Sequence, residues 1–149
     1  MDTLLTNVLR AIAAAPDATA ALTDTIRLLK THRPHYTWAG IYLLEGNELV
    51  LGPYLGKPSP HTRIPLGRGI CGAAATEKKT ITVDDVNSDS RYLACSIETK
   101  SEIVVPIMNG SEVLGEIDID SDQPAAFGQA DRELLEHVAP LLAEALSDG

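Results

Sequence analysis

Two cysteines and a run of alternating carboxylates are the groups in this sequence best suited to chemistry. Glu112, Glu116, Asp118 and Asp120 lie at even positions of one apolar stretch, and Glu102 lies in the stretch before it. In a β-strand, residues two apart share a face. The spacing therefore gathers up to five carboxyls on one side of a sheet. Trp38 and Tyr42, with Gly40 between them, share a face of an earlier stretch. Two environments are open to such a face. Left in water, it is the ordinary polar side of an antiparallel sheet. Covered, its carboxyls crowd and lose solvent, their pKa values rise, and one stays protonated near neutral pH as a general acid. The remaining negative charge then suits an amine or another cation. A tryptophan on the face, and a long middle segment that must go somewhere, weigh toward the covered form.

Cys71 lies in Gly67-Arg68-Gly69-Ile70-Cys71-Gly72, at the entry to a short helix. A helix N-terminus and Arg68 are both placed to stabilise a thiolate. The amides from Ile70 to Gly72 are placed to hold an anion such as a carboxylate. Cys95 lies in the polar loop Tyr92-Leu93-Ala94-Cys95-Ser96. Neither belongs to a C-x-x-C pair, and no pair of histidines accompanies them, so the spacing suggests no zinc site. A Cys/His pair with His61 has no support in spacing. Each cysteine also reads as a small buried or loop residue, and spacing alone leaves both readings open.

The elements that must position these groups follow from periodicity. Leu4, Leu5, Val8, Leu9 and Ile12 recur at helical spacing over residues 3–14. Pro16-Asp17 reads as a break and an N-cap, and Leu22, Ile26 and Leu29 continue as a second helix until Pro34. Residues 36–44 and Leu49 to Tyr54 read as a hairpin turned by Glu45-Gly46-Asn47. Residues 101–108 and 112–120 form a second hairpin around Asn109-Gly110, a pair suited to a type I′ turn. Ile103, Val105 and Ile107, with Val113, Gly115, Ile117 and Ile119, make the apolar face. Between the hairpins, residues 56–100 hold a helix from Ile70 to about Thr76, a short strand at 80–83 and a polar loop at 84–98. A loop of that length is often functional. Ala130 to Ala145 makes a last amphipathic helix that Pro140 should kink. The pattern predicts one α+β domain over residues 1–149, an antiparallel sheet with the terminal helices on one face.

Composition excludes several classes of function. The 149 residues carry 12 basic and 21 acidic side chains, a net charge of −9. That disfavours nucleic acid, which needs a basic footprint, and anionic membrane surfaces. No apolar run approaches the length of a membrane span. Met1-Asp2-Thr3 lacks the basic start of a secretory signal. The expected location is cytoplasmic, where two cysteines stay reduced unless they are catalytic. Five of the six aromatics, Tyr36, Trp38, Tyr42, Tyr54 and Tyr92, lie in the middle of the chain, and only Phe127 lies outside. Such a cluster lines a small-molecule pocket or packs a core.

Several motifs occur in one order. They are Trp38-Ala39-Gly40-Ile41-Tyr42-Leu43, Leu51-Gly52-Pro53-Tyr54-Leu55-Gly56-Lys57, Arg63-Ile64-Pro65 followed by Gly67-Arg68-Gly69-Ile70-Cys71-Gly72, then Ala94-Cys95, Ser101-Glu102-Ile103-Val104 and Asp118-Ile119-Asp120-Ser121. Over residues 36–138 this order resembles the free methionine-(R)-sulfoxide reductases, single-domain proteins of the GAF fold. The resemblance implies a GAF-like sheet with a ligand pocket on the face away from the terminal helices. It implies reduction of free L-methionine-(R)-sulfoxide to methionine. Trp38 and Tyr42 match the family's aromatic pocket for the S-methyl end. Glu102, Asp118 and Asp120 match its buried carboxylates, and Cys71 and Cys95 match two of its three redox cysteines. The position of the usual third cysteine is held by His61.

On that resemblance Cys95 attacks the sulfoxide sulfur, and one of the three carboxyls protonates the departing oxygen. The others hold the substrate ammonium, and amides from Ile70 to Gly72 hold its carboxylate. Cys71 then closes a disulfide with Cys95, which a thioredoxin-like dithiol reopens. The roles of the two cysteines are interchangeable at this level. No cofactor or metal is expected. Pairing through residues 3–14 and 130–146 would make a homodimer. The alternative is a GAF domain that binds a small ligand without catalysis.

Overall fold

The computed structural model describes residues 3–93 and 98–148. Four helices and six strands follow the order α1 (Thr3–Ala14), α2 (Ala18–His32), β1 (Trp38–Glu45), β2 (Glu48–Leu55), β3 (Arg63–Pro65), α3 (Gly69–Glu77), β4 (Ile81–Val83), β5 (Ser101–Asn109), β6 (Glu112–Ser121) and α4 (Gln129–Asp148). The strands make one antiparallel sheet in the order β3-β2-β1-β6-β5-β4. This is the predicted α+β arrangement, an antiparallel sheet with the terminal helices on one face.

The helical stripes do what their spacing requires. Leu4, Leu5 and Val8 of α1 and Leu22, Ile26 and Leu29 of α2 are buried. Asp17 caps α2 by accepting a 2.9 Å bond from the Ala20 amide. These helices and α4 pack on one face of the sheet, against Ala39, Ile41, Ile103, Val105, Ile107, Ile117 and Ile119. Helix α4 runs on through Pro140. The ring leaves the Glu136 carbonyl without its helical partner, and both residues are exposed, so the carbonyl is not forced to be unsatisfied.

Three local expectations are corrected. Strand β1 starts at Trp38 rather than 36, because the Tyr36 amide turns back onto the Arg33 carbonyl at 2.9 Å. Tyr36 therefore escapes the strand alternation. Its hydroxyl donates to Asp131 at 2.6 Å and its ring meets Phe127, on the helical side of the sheet. The second hairpin turns through Gly110-Ser111, with Asn109 paired to Glu112. Only Gly110 has positive φ (61°), which is the demand of a type II′ turn and not I′. The β5–β6 register also slips between Ile107 and Met108. That bulge turns Val113 onto the face away from the terminal helices and Leu114 toward them, reversing the expected alternation at the hairpin tip.

The middle segment covers the second face. Helix α3 packs on β5 and β6 there, and β4 extends the sheet beside β5. Strand β3 was not expected; three residues bounded by proline give too short a pattern to recognise. Among its described residues the polar loop holds a 3-10 turn, Val86–Ser88, capped by Asp85. Cys71, Ala74 and Ala75 of α3 meet Trp38, Tyr42 and Val104 in a second apolar layer. No helix among the described residues is long and apolar enough to cross a membrane.

Candidate active site

Register places the chemistry. Across three neighbouring strands, Trp38 pairs with Asp120 and Asp120 with Glu102; Gly40 pairs with Asp118 and Asp118 with Val104; Tyr42 pairs with Glu116 and Glu116 with Pro106. All of these project to the covered face. The Trp38 indole lies across Gly40, where a Cβ would stand 2.5 Å from the ring. Glycine at 40 is what lets the indole lie flat on the sheet. Tyr54 stacks on the indole at 5.7 Å, and the indole N–H donates to the Lys57 carbonyl at 3.0 Å. The Tyr42 hydroxyl donates to the His61 carbonyl at 2.7 Å. Two aromatic side chains thus tie the covering segment to the sheet.

The carboxyls are buried and not solvated. Glu102, Glu116, Asp118 and Asp120 are at most 5% exposed, while Glu112 at the hairpin tip stays in water. Among the described residues no lysine or arginine pairs with Glu116, Asp118 or Asp120. Among the described residues, both Glu116 oxygens, Asp118 Oδ1 and Asp120 Oδ1 have no hydrogen-bond partner. Loss of solvent therefore raises the pKa of all three. The charge of Asp118 raises Glu116 and Asp120 further. A hydrogen bond from Glu102 works the other way at Asp118 and Asp120. Carboxyls in hydrogen-bond contact must share a proton, so this face holds an acid ready to donate.

Cys71 completes the cluster. Its thiol donates to Asp118 Oδ2 at 3.3 Å. Burial, then the charges of Asp118, Glu116 and Glu102, push its pKa well above the ordinary thiol value. This corrects the expectation of a thiolate stabilised by Arg68 and the helix N-terminus. Arg68 points to solvent, and the acids across the cavity outweigh the helix end.

Two cavities border this face. One, about 20 Å³, is lined by Tyr42, His61, Ile64, Gly69, Ile70, Cys71, Leu93, Glu102 and Asp118. The other, about 60 Å³, has Trp38, Asp120, Lys57, Ser59, Glu98 and Thr99 in its wall. Of the site residues read from sequence, Tyr42, Ile70, Cys71, Glu102 and Asp118 thus meet in one cavity, with Trp38 and Asp120 in the next. Cys95 lies outside the described residues. Gly72 is corrected as an anion-holding amide: its N–H already donates to the Arg68 carbonyl at 3.0 Å inside α3. Its role is steric, since a Cβ there would press on the Gly67 backbone at 3.0 Å. Ile70 remains in the first turn of α3, where amides have no helical partner. Sequence reasoning put Glu116 on the acidic face but not in the site; its alternation with Asp118 and Asp120 was the available signal.

This architecture has known counterparts. Residues 2–146 match the GAF domain, which sets the class of the fold. The structure superposes with a TM-score of 0.92 on free methionine-R-sulfoxide reductase from Neisseria meningitidis in complex with its substrate, at 35% identity, covering 97% of this chain and 86% of that one. Type II free methionine-R-sulfoxide reductase from Thermoplasma acidophilum gives 0.85 at 39% identity, covering 88% and 93%. Free methionine-R-sulfoxide reductase of Escherichia coli is 37% identical over 128 residues, 86% of this chain and 77% of the relative. Within the GAF class, the chain belongs to the free methionine-R-sulfoxide reductase family.

Proposed function

We propose that this protein reduces free L-methionine-(R)-sulfoxide to methionine. The observation that carries the reading is a covered sheet face holding four buried carboxyls and a thiol beside Trp38 and Tyr42. Relatives of the same fold bear that activity in their names, one of them solved with its substrate. Cys95, as thiolate, attacks the sulfoxide sulfur. A carboxyl of Glu102, Asp118 or Asp120 protonates the oxygen, which ends on Cys95 as a sulfenic acid while methionine departs. The other carboxyls, ionised, hold the substrate ammonium, and the Ile70 end of α3 faces its carboxylate. Cys71 then condenses with the sulfenic acid, releasing water and forming the Cys71–Cys95 disulfide. A thioredoxin-like dithiol restores both thiols in a reducing cytoplasm.

The environment of Cys71 favours this division of labour. A buried thiol facing three acids is a poor nucleophile toward a sulfoxide, which leaves the attack to Cys95. A pocket that grips both charged ends of a free amino acid rejects methionine within a polypeptide.

The test mixes reduced protein with free L-methionine-(R)-sulfoxide and no reductant, then counts methionine and remaining thiols. About one methionine per chain with both thiols lost supports the cycle. No methionine and two intact thiols, with the fold confirmed, would overturn it in favour of a GAF domain that binds a ligand without catalysis.

A further inference from the structure

The cavity of about 20 Å³ has room for one water-sized body. Three chemically different side chains converge on it from separate elements: Cys71 from α3, Glu102 from β5 and Asp118 from β6. One ligand atom of each, the sulfur and two carboxylate oxygens, lies within 4.8 Å of the others, and all three residues are buried. A tetrahedral zinc with usual bond lengths holds a thiolate sulfur and a carboxylate oxygen about 3.5 Å apart. The Cys71 sulfur and Asp118 Oδ2 are 3.3 Å apart. Asp118, only 3% exposed, lines the cavity, and its other oxygen has no partner among the described residues. Glu116, fully buried on the same face though outside the cavity wall, adds a further carboxyl with neither oxygen partnered among the described residues. A buried Asp118 oxygen unpartnered among the described residues, beside a second carboxyl and a thiol at one small cavity, is a setting in which a divalent cation binds.

We propose that Cys71, Glu102 and Asp118 form a Zn²⁺ site in the reduced protein, with three protein ligands. Binding replaces the thiol proton of Cys71 and the proton shared by Glu102 and Asp118, and both protons go to solvent; no electrons move. The mixed sulfur and oxygen donors suit Zn²⁺ over Mg²⁺ or Ca²⁺, which take oxygen alone. Spacing did not reveal the set because its members are far apart in sequence and meet only through the packing of α3 on the sheet. Building on the reductase reading, the bound metal holds the thiol needed to close the disulfide, so zinc arrests the cycle until it is withdrawn.

Co²⁺, a coloured substitute for Zn²⁺, provides the test on the full reduced chain without substrate. One equivalent per chain should bind, give thiolate-to-metal absorption, and be displaced by Zn²⁺. Cys95→Ser should keep that absorption, Cys71→Ser should lose it, and Glu102→Gln should weaken Zn²⁺ binding by about tenfold or more. Near-ultraviolet signal from Trp38 confirms that each variant is folded, and Glu102→Gln decides the matter should Cys71→Ser fail to fold. Absence of metal binding, or thiolate absorption that follows Cys95, would overturn the site. Because no turnover is measured, failure of the reductase reading leaves this result interpretable.

Discussion

Replacing Glu116 with methionine should stabilise the protein. The side chain is wholly buried, neither oxygen has a partner among the described residues, and burial, then the charge of Asp118, discourages its ionisation. Methionine has similar length and no group that needs solvating. An unsatisfied buried polar group costs about 1–3 kcal/mol, more when charged. Removing it should return about that amount. For a chain of this size the gain corresponds to a melting temperature higher by about 2–12 °C. The assay is urea unfolding followed by the fluorescence of Trp38, the single tryptophan and itself part of the site. The gain should be larger at pH 8 than at pH 5. The folded-state pKa is raised, so the native state holds a proton that the unfolded chain releases on passing the ordinary carboxylate range. Stability from that proton is present at low pH and lost as pH rises through the folded-state value. A Glu116→Met protein no more stable than the parent at pH 8 would refute the reasoning, because the carboxyl would then have to be satisfied.

Three further outcomes are expected. Since Asp118 and Asp120 are raised in the same direction, overall stability should fall as pH climbs above the carboxylate range, with a shallower slope in Glu116→Met; stability rising over that interval contradicts the burial argument. Asp118→Asn should lower turnover of methionine sulfoxide by about 10²-fold or more, the usual worth of a positioned acid, and parental kcat in a folded variant removes Asp118 from that role. Tyr42→Phe should cost about 0.5–1.5 kcal/mol by losing the bond to the His61 carbonyl, and should speed amide exchange in the segment that bond secures; unchanged exchange near residue 61 would show that the tie does not hold the segment.

Periodicity and turn chemistry by themselves determined most of the frame. The helical stripes, both hairpins and the face shared by Trp38, Tyr42, Glu102, Asp118 and Asp120 follow from local spacing, because side-chain direction in helices and strands is a local property. The ordered motifs also carried the family. Spacing failed where the determinant was not local. The bulge after Ile107 reversed Val113 and Leu114, and a backbone turn took Tyr36 out of the strand and onto Phe127. Whether the acidic face met water or protein was likewise undecided, since a carboxylate reads the same in either setting. Tertiary packing decided it: α3 lies over β5 and β6, strips the solvent from four carboxyls, and sets the Cys71 thiol against Asp118. The thiol, expected as a thiolate at a helix end, is instead held protonated. Burial and the summed charge of residues from three elements set its chemistry, and neither quantity is written in the sequence around position 71.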